Sequence, residues 1–442
     1  MPSKRSSIQL PRRPAFSCLS SSLARVVAGA RSPDSDSRAR TLRAALGRKG
    51  FKRIAALAAL AVAPAAAWAG SDAPAAAHYD LLVGTYTNTG KSEGIHVYRF
   101  DPQSGAVSPL SSVQTVNPSY LIVAPGNRTV YAVNELPGDN GPASERGGVS
   151  AFSFDAASGQ LKLIDSVSSQ GNDPCYLSLS PDGRYLFVAN YSVAADPGGS
   201  FAVLPIQGDG SLGNAVLSVH HDGSGPVKGR QDSAHVHSTV MSPDGRYLFA
   251  QDLGTDKLYA YRYTPDGSRE LLSPTETRYL PMKAGSGPRH LLFDATGKYA
   301  YLTSELAATV TALRYRDGTL EAVQTLALAA PGFKGKQGGG ALHLSPDGRF
   351  LYVSNRGDAN EIVIFAVDAH DGTLKLVGRQ STLGRTPREF AIDPTGHWLI
   401  VGNQESDTAY VFRRDPRTGS LEPNPTRLDI GAPVDFKFTP AS

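Results

Sequence analysis

SPDGRYLFVAN, residues 180–190, couples a Pro-Asp-Gly turn to an apolar run, and the same arrangement returns along the chain. The related segments are APGNRTVYAVN (124–134), SPDGRYLFAQD (242–252), DATGKYAYLTS (294–304), SPDGRFLYVSN (345–355) and DPTGHWLIVGN (393–403). Successive copies begin 56, 62, 52, 51 and 48 residues apart. That period is the length of a propeller blade, longer than most helical repeats.

Each copy sits in a unit of four strands. A first strand precedes the turn, as in DPCYLSL, HVHSTVM, GPRHLLF and TPREFAI, and the apolar run after the turn is the second. A third follows, as in GSFAVLP and KLYAYRY, and a fourth opens at Gly-x-Leu turns such as GQLKLI and GTLKLV. Seven of each can be found, but the chain enters at a second strand (Leu81 to Thr87) and leaves at a first (Pro433 to Phe438). Pairing the two ends closes the ring and removes the exposed edge of a linear array. The expected fold is therefore all-β: a seven-bladed β-propeller of four-stranded blades over residues 78–440. Composition agrees, since 45 Gly, 31 Pro, 18 Tyr and 16 Phe suit short strands and tight turns.

The formal charge of +4 is unevenly spread. Thirteen of the 44 Lys/Arg and two of the 40 Asp/Glu fall in residues 1–69, leaving 31 bases against 38 acids, a net of −7, for the rest. A mildly acidic body excludes the electrostatic footprint of a nucleic-acid binder. Within the leader, GRKGFKR (47–53) is a basic n-region, IAALAALAVAPAAAW (54–68) an apolar h-region and Ala67-Trp68-Ala69 a small-x-small cleavage site. The expectation is a signal peptide over 47–69, export to the periplasm or medium, and no membrane attachment after cleavage. Residues 1–46 are expected to be a disordered extension or a mis-assigned start. Of the two cysteines, Cys18 belongs to the leader, so Cys175 has no partner for an intramolecular disulfide after cleavage.

Aligning the units on their turns compares positions that are equivalent by fold. In a propeller the first strand lines the central channel. The column six residues before the turn proline, or its equivalent, holds Ser119, Cys175, His237, Arg289, Gly340, Arg388 and Val434. The column closing the second strand holds Tyr86, Glu135, Tyr191, Leu253, Glu305, Arg356 and Gln404, preceded by a mostly Asn column that is expected to close turns. The His, Arg, Glu and Arg of His237, Arg289, Glu305 and Arg388 concentrate on the C-terminal blades, an asymmetry that building a propeller does not require. Two arginines, an acid and an imidazole at one concave mouth make an anion site with an acid/base pair.

His235 and His237 lie two apart, so on a strand both imidazoles are expected to face the channel together. A His-x-His pair with His220, His221 or Asp232 nearby raises the possibility of a metal. The same column supplies arginines where a divalent cation needs carboxylates or imidazoles, so the expectation is no metal and no cofactor. The run KGKQGGG (334–340) is expected to be a flexible loop at the mouth.

With these residues in view, the sequence resembles the seven-bladed lactonase family that includes bacterial cycloisomerase-type 6-phosphogluconolactonases and fungal carboxymuconate lactonizing enzymes. The likeness covers residues 79–440 and is carried by LLVGTYT with KSEGIHVYRFDPQSG, NDPCYLSLSPDGRYLFVANY, HVHSTVMSPDGRYLFAQDLGTDK, GSGPRHLLF with the following TSEL, LHLSPDGRFLYVSNRG and TPREFAIDPTGHWLIVGNQ. It implies catalytic roles for His237, Arg289, Glu305 and Arg388 without a metal. It differs from the family pattern at Ala341, where an acid is usual, and at Tyr176, where a His is frequent. Substrate contacts are expected from His235, His290, Asn355, Arg356 and Gln404. The implied activity is hydrolysis of a sugar-derived lactone by a monomer, with His237 as base, the arginines on oxyanion and substrate anion, and Glu305 as orienter or proton donor. Two alternatives stay open: a lactonizing cycloisomerase acting on a dicarboxylate, and a non-catalytic exported binding module.

Overall fold

In the turn that defines the repeat, Ser, Asp and Gly each have a separate task. The Ser180 hydroxyl donates to Asp182 Oδ1 (2.5 Å) and accepts from the Tyr185 amide (2.9 Å), and Gly183 takes φ 67°. Ser242 with Asp244, and Ser345 with Asp347, repeat the arrangement, with Gly245 at φ 69° and Gly348 at φ 68°. A residue with a Cβ is strained there, which is why the glycine recurs. Asp294 and Asp393 replace the serine, and their own carboxylates accept the amides of Tyr299 and Trp398.

A computed structural model describes residues 78–137, 147–193, 198–266 and 270–441. The expected extension at 1–46 and the expected signal peptide at 47–69 lie outside the described residues. Among the described residues, 28 strands, numbered β1 to β28 in chain order, form seven four-stranded antiparallel sheets in a ring. Their edge-on stacking makes a seven-bladed propeller. Six sheets use four consecutive strands. The seventh combines β28 (Pro433–Pro440) with β1 (Tyr79–Thr85), β2 (Gly94–Phe100) and β3 (Val107–Gln114), in register from Tyr79 opposite Pro440 to Thr85 opposite Pro433. The chain ends therefore close the ring as the circular offset of the repeats requires.

Burial falls from the second strand outward. The second strand β9 (Tyr185–Ser192) is covered on both faces by neighbouring blades, which explains the unbroken apolar run of the repeat. The fourth strand β7 (Gln160–Ser168) alternates with exposed polar residues. Blades meet through apolar clusters: Tyr352, Ile362 and Ile364 pack on Phe390, Leu399 and Val401, while Leu81, Val83 and Phe436 pack on Ile400 and Val411 to seal the closing joint.

One device recurs on the channel side. The first strands β8 (Asn172–Leu179), β12 (Val236–Met241), β16 (Pro288–Phe293), β20 (Gln337–Leu344), β24 (Pro387–Ile392) and β28 each slip register by a bulge at the column position. In β12, Val236 pairs with Asp252 and Ser238 with Gln251, leaving His237 unpaired between them. A bulge turns its extra residue out of the pleat. Cys175, Arg289, Gly340, Arg388 and Val434 occupy the same place in their strands.

Two expectations need correction. Gly338, Gly339 and Gly340 belong to β20, so the glycine run is strand and not a mobile loop. The glycines permit close passage: a Cβ on Gly339 would come 2.7 Å from the Ser304 carbonyl oxygen, and one on Gly340 2.2 Å from Ser354 Oγ. Gly340→Ala would also press on the carbonyls of Pro387 and Arg388 at 3.2 and 3.3 Å, and its expected cost is about 1–3 kcal/mol of overpacking, read as a lowered melting temperature. His235 precedes β12 and, with the bulge intervening, does not share a face with His237 as strand alternation predicts.

Candidate active site

The bulged first-strand residues and the ends of the second strands converge on one mouth of the channel. There they line a cavity of about 380 Å³ bounded by Glu135, Cys175, Tyr191, Arg230, His237, Glu305, Arg356 and Arg388. Glu305 follows directly on β17 (Tyr299–Ser304), held by its amide donating to the Gly287 carbonyl (2.7 Å). It is the electrostatic centre. Arg289 Nε donates to its Oε2 at 3.2 Å, Arg356 Nη2 lies 2.8 Å from the same oxygen, and Arg230 Nη2 donates to Oε1.

Burial alone raises the Glu305 pKa, but Arg356, Arg289, His237 and Arg230 together outweigh it and hold the carboxyl well below the usual range. Glu305 is thus ionised and works as an acceptor that fixes three guanidinium groups. Of the two roles left open for it, orienter fits and proton donor does not. Arg289 is 1% exposed, and burial followed by repulsion from Arg356 and Arg388 lowers its pKa to about 10.

His237 is 4% exposed. Burial first, then Arg289 and Arg388, push its pKa well below 6.5, so the imidazole is neutral at neutral pH and able to accept a proton. Its Nδ1 lies 3.9 Å from Cys175 Sγ, and its ring meets Tyr191 edge-on at 5.7 Å. Burial pushes the Cys175 thiol well above its ordinary range, which leaves it a packing group rather than a thiolate.

Arg388 faces the opposite wall. It stacks on Tyr86 with its guanidinium carbon 5.2 Å from the ring centroid and lies 3.5 Å from Glu135 Oε2. Glu135 accepts the Tyr86 hydroxyl at 2.7 Å and the Ser119 hydroxyl on its other oxygen. Beyond this wall a second basin of about 480 Å³ opens outward, sharing Tyr86 and Glu135 and carrying Asp173, Gln404, Glu405 and Asp407.

The structure brings His237, Glu305, Arg356 and Arg388 to one cavity, with Arg289 bonded behind Glu305. Gln404 lies in the outer basin. His290 is one layer deeper in the channel, with Arg289 Nη1 3.2 Å from its Nε2 and its ring centroid 5.1 Å from that of His237. His235 packs elsewhere: its Nδ1 lies 2.6 Å from the Tyr191 carbonyl oxygen and its ring stacks on Tyr191 at 4.5 Å. Asn355 is buried and donates to Glu361 Oε1 (3.1 Å), the turn-closing part its column suggests, away from the cavity. The possible metal ligands are engaged apart from one another: His221 with Asp252 and Tyr261, His220 with Asp222, Asp232 with the Gly229 amide. Among the described residues no three His, Cys, Asp or Glu side chains converge as a metal site.

Sequence reasoning missed Arg230, and it undervalued the N-terminal blades. Arg230 stands on the loop between β11 (Leu217–Val219) and β12, which is pinned by buried Gln231 accepting the Val227 amide and donating to the Leu253 carbonyl. The only hint was the longest interval between repeats, 62 residues, which includes this loop. Tyr86, Glu135, Cys175 and Tyr191 stood in the aligned columns, but the site is not confined to the C-terminal side as the column asymmetry suggested.

A family model described as "Lactonase, 7-bladed beta-propeller" matches residues 80–438. A solved structure of a periplasmic gluconolactonase from Pseudomonas aeruginosa is 48% identical with a TM-score of 0.78, covering 83% of this chain and all of that one. A 6-phosphogluconolactonase of Bacillus subtilis is 36% identical over 363 residues, 81% of this chain and 98% of its own length, and one of Formosa agariphila is 36% identical over 355 residues, 79% and 96%. Sequence, fold and the convergence of His237, Glu305 and the arginines agree, and the chain belongs to the seven-bladed β-propeller lactonase family.

Proposed function

We propose that the protein hydrolyses a sugar-derived lactone, and that a neutral buried imidazole beside arginines locked by one carboxylate carries this chemistry. Water placed in the cavity gives a proton to His237 as it attacks the lactone carbonyl. The guanidinium groups of Arg356 and Arg388, already oriented by Glu305 and Glu135, stabilise the oxyanion without reorganising, and Arg289 adds its charge from behind Glu305. The tetrahedral intermediate then expels the ring oxygen, which takes the proton back from the His237 imidazolium. The carboxylate product leaves from an arginine-lined wall. Guanidinium groups in place of anionic donors disfavour a divalent cation, so EDTA is expected to leave the rate unchanged.

The substrate we favour is an unphosphorylated aldonolactone met outside the cytoplasm. Three observations support this: the basic and apolar leader, the 48% identity to a periplasmic gluconolactonase, and the carboxylates of the outer basin. Asp173 and Glu405 would repel a phosphate projecting from the inner cavity, whereas Asp407 is paired with Lys91 on the same basin wall. No helix among the described residues is long and apolar enough to cross a membrane. Initial rates with δ-gluconolactone and 6-phosphogluconolactone, each corrected for spontaneous opening, test the reading. The expected result is kcat/KM at least about tenfold higher for the unphosphorylated lactone. Equal or reversed preference would reject the substrate class, and lactonization of a dicarboxylate without hydrolysis would move the assignment to a cycloisomerase.

A further inference from the structure

Below His237 the channel is not filled as a structural plug would be. One column deeper, the aligned first strands carry Tyr120, Tyr176, Ser238, His290, Ala341, Glu389 and Asp435, and two further on Ile122, Ser178, Val240, Leu292, His343, Ala391 and Lys437. Ser, Ala, Val, Leu and Ile suffice in some blades. The His, Glu, Asp and Lys side chains gather on β16, β20, β24 and β28, the side that supplies Arg289 and Arg388.

They also form a sequence in space. The His237 and His290 rings are 5.1 Å apart and nearly perpendicular. His290 Nδ1 lies 4.0 Å from Glu389 Oε2, and the other oxygen of Glu389 lies 2.7 Å from His343 Nε2. Glu389 is 3% exposed, whereas the His343 side chain is 36% exposed. Because first and second strands are antiparallel, His343, close to the turn at Ser345, lies toward the face opposite the substrate mouth. The chain of groups thus runs from the candidate base to solvent at the far end of the ring.

Resting on the lactonase reading, we infer that His290, Glu389 and His343 form a proton exit: after returning its first proton to the ring oxygen, His237 takes the proton of the carboxylic acid product, and the three groups carry that proton to the turn-side mouth. Opening a lactone with one water gives a hydroxyl, a carboxylate and one proton: the C–O ring bond breaks, a C–O bond to water forms, and the acid product ionises. With substrate or product filling the upper cavity, a path through the channel spares that proton the wait for product release. His290, with Arg289 Nη1 3.3 Å from its Nδ1 and 3.2 Å from its Nε2, accepts the proton on one ring nitrogen in exchange for that contact and releases it from the other, Glu389 passes it on, and His343 delivers it to water.

The groups facing this path suit transfer. Arg289, Tyr176 and His237 surround His290, and burial with Arg289 keeps it neutral between transfers. Lys437, Asp435 and Arg289 face Glu389; burial raises its pKa, but His343 and Lys437 outweigh this and keep it a carboxylate. Lys437 is itself tied to Asp435 at 2.7 Å and lies over the Tyr120 ring at 4.2 Å, so it is not a competing carrier.

The test is the buffer dependence of kcat in the wild type, Glu389→Gln and His343→Gln, with glucono-δ-lactone as substrate and near-ultraviolet circular dichroism as the fold control. His343→Gln, at a half-exposed position, guards against a variant that fails to fold. In dilute buffer both variants are expected to lose kcat on the order of tenfold at unchanged KM, and imidazole is expected to restore His343→Gln to within about twofold of the wild type. A kcat within twofold of the wild type in dilute buffer, or a loss that imidazole does not restore, would overturn the relay while leaving the lactonase assignment standing. A wild type no faster than spontaneous opening would overturn both.

Discussion

His237→Ala is expected to lower kcat for lactone hydrolysis by about three orders of magnitude, with KM changed only a few-fold. The expectation follows from position and charge together. His237 is the bulged residue of β12, turned toward the cavity where Glu305 and the arginines converge. Among the described residues it is the one imidazole bordering that cavity, and burial beside Arg289 keeps it unprotonated. Arginines at neutral pH accept no proton, the Cys175 thiol is held protonated, and Glu305 is saturated with guanidinium donors. Glu135, the other carboxylate on the cavity wall, is engaged by the Tyr86 and Ser119 hydroxyls and by Arg388, so among the described residues no neighbour is free to take over as base. Substrate contacts from the arginines persist in the variant, so the loss falls on kcat. Stopped initial rates over a range of lactone concentrations, with the spontaneous reaction subtracted, separate the two constants. A variant retaining more than a tenth of wild-type kcat would remove His237 from the role of base.

Glu305→Ala is expected to be the most damaging change to both folding and activity. One carboxylate receives Arg289, Arg356 and Arg230, and Arg289 is almost wholly buried. Removing it leaves like charges facing one another in a low-dielectric pocket, a loss of about 3 to 5 kcal/mol for a buried pair broken from one side. Arg230 is half-exposed and adds little to that figure because water screens it. The depressed Glu305 pKa sets the sign with pH: its stabilisation is present above the unfolded carboxyl value near 4.5 and is lost as pH falls through the lower folded value. Denaturant unfolding in steps from pH 7 to pH 2 is expected to show a difference between wild type and variant that starts to shrink below the unfolded value near 4.5 and keeps shrinking with each step down. A difference that stays constant to pH 2 would mean that shape rather than charge holds the cluster.

The ring was legible because its cause is local and repeated. Ser-Pro-Asp-Gly dictates a turn through a serine hydroxyl and a left-handed glycine, the apolar run after it dictates a strand buried on both faces, and the offset ends dictate closure through β1 and β28. The site was legible in part for the same reason: His237, Arg289 and Arg388 stand in one column, and Glu305 and Arg356 in another. What escaped has identifiable causes. Bulges are set by pairing between strands, so alternation placed His235 beside His237 when it packs instead on Tyr191. Asn355 shares a column with residues that close turns, and its amide does that too. Arg230 comes from a loop with no counterpart in other blades, and its partner is 75 residues away in sequence. Arginines near a glutamate announce an ion cluster, but which ones touch it is decided only when seven blades close.

If a neutral His237 drives hydrolysis at the arginine-lined channel mouth, the kcat/KM profile of the wild type with δ-gluconolactone, followed in a pH-stat from pH 5 to 8, carries its signature. A saturable rate above spontaneous opening is expected, flat through neutrality and declining only at pH below 6.5, as the depressed imidazole becomes protonated. A rate equal to the spontaneous one at every pH, or an acid limb centred above pH 6.5, would contradict it.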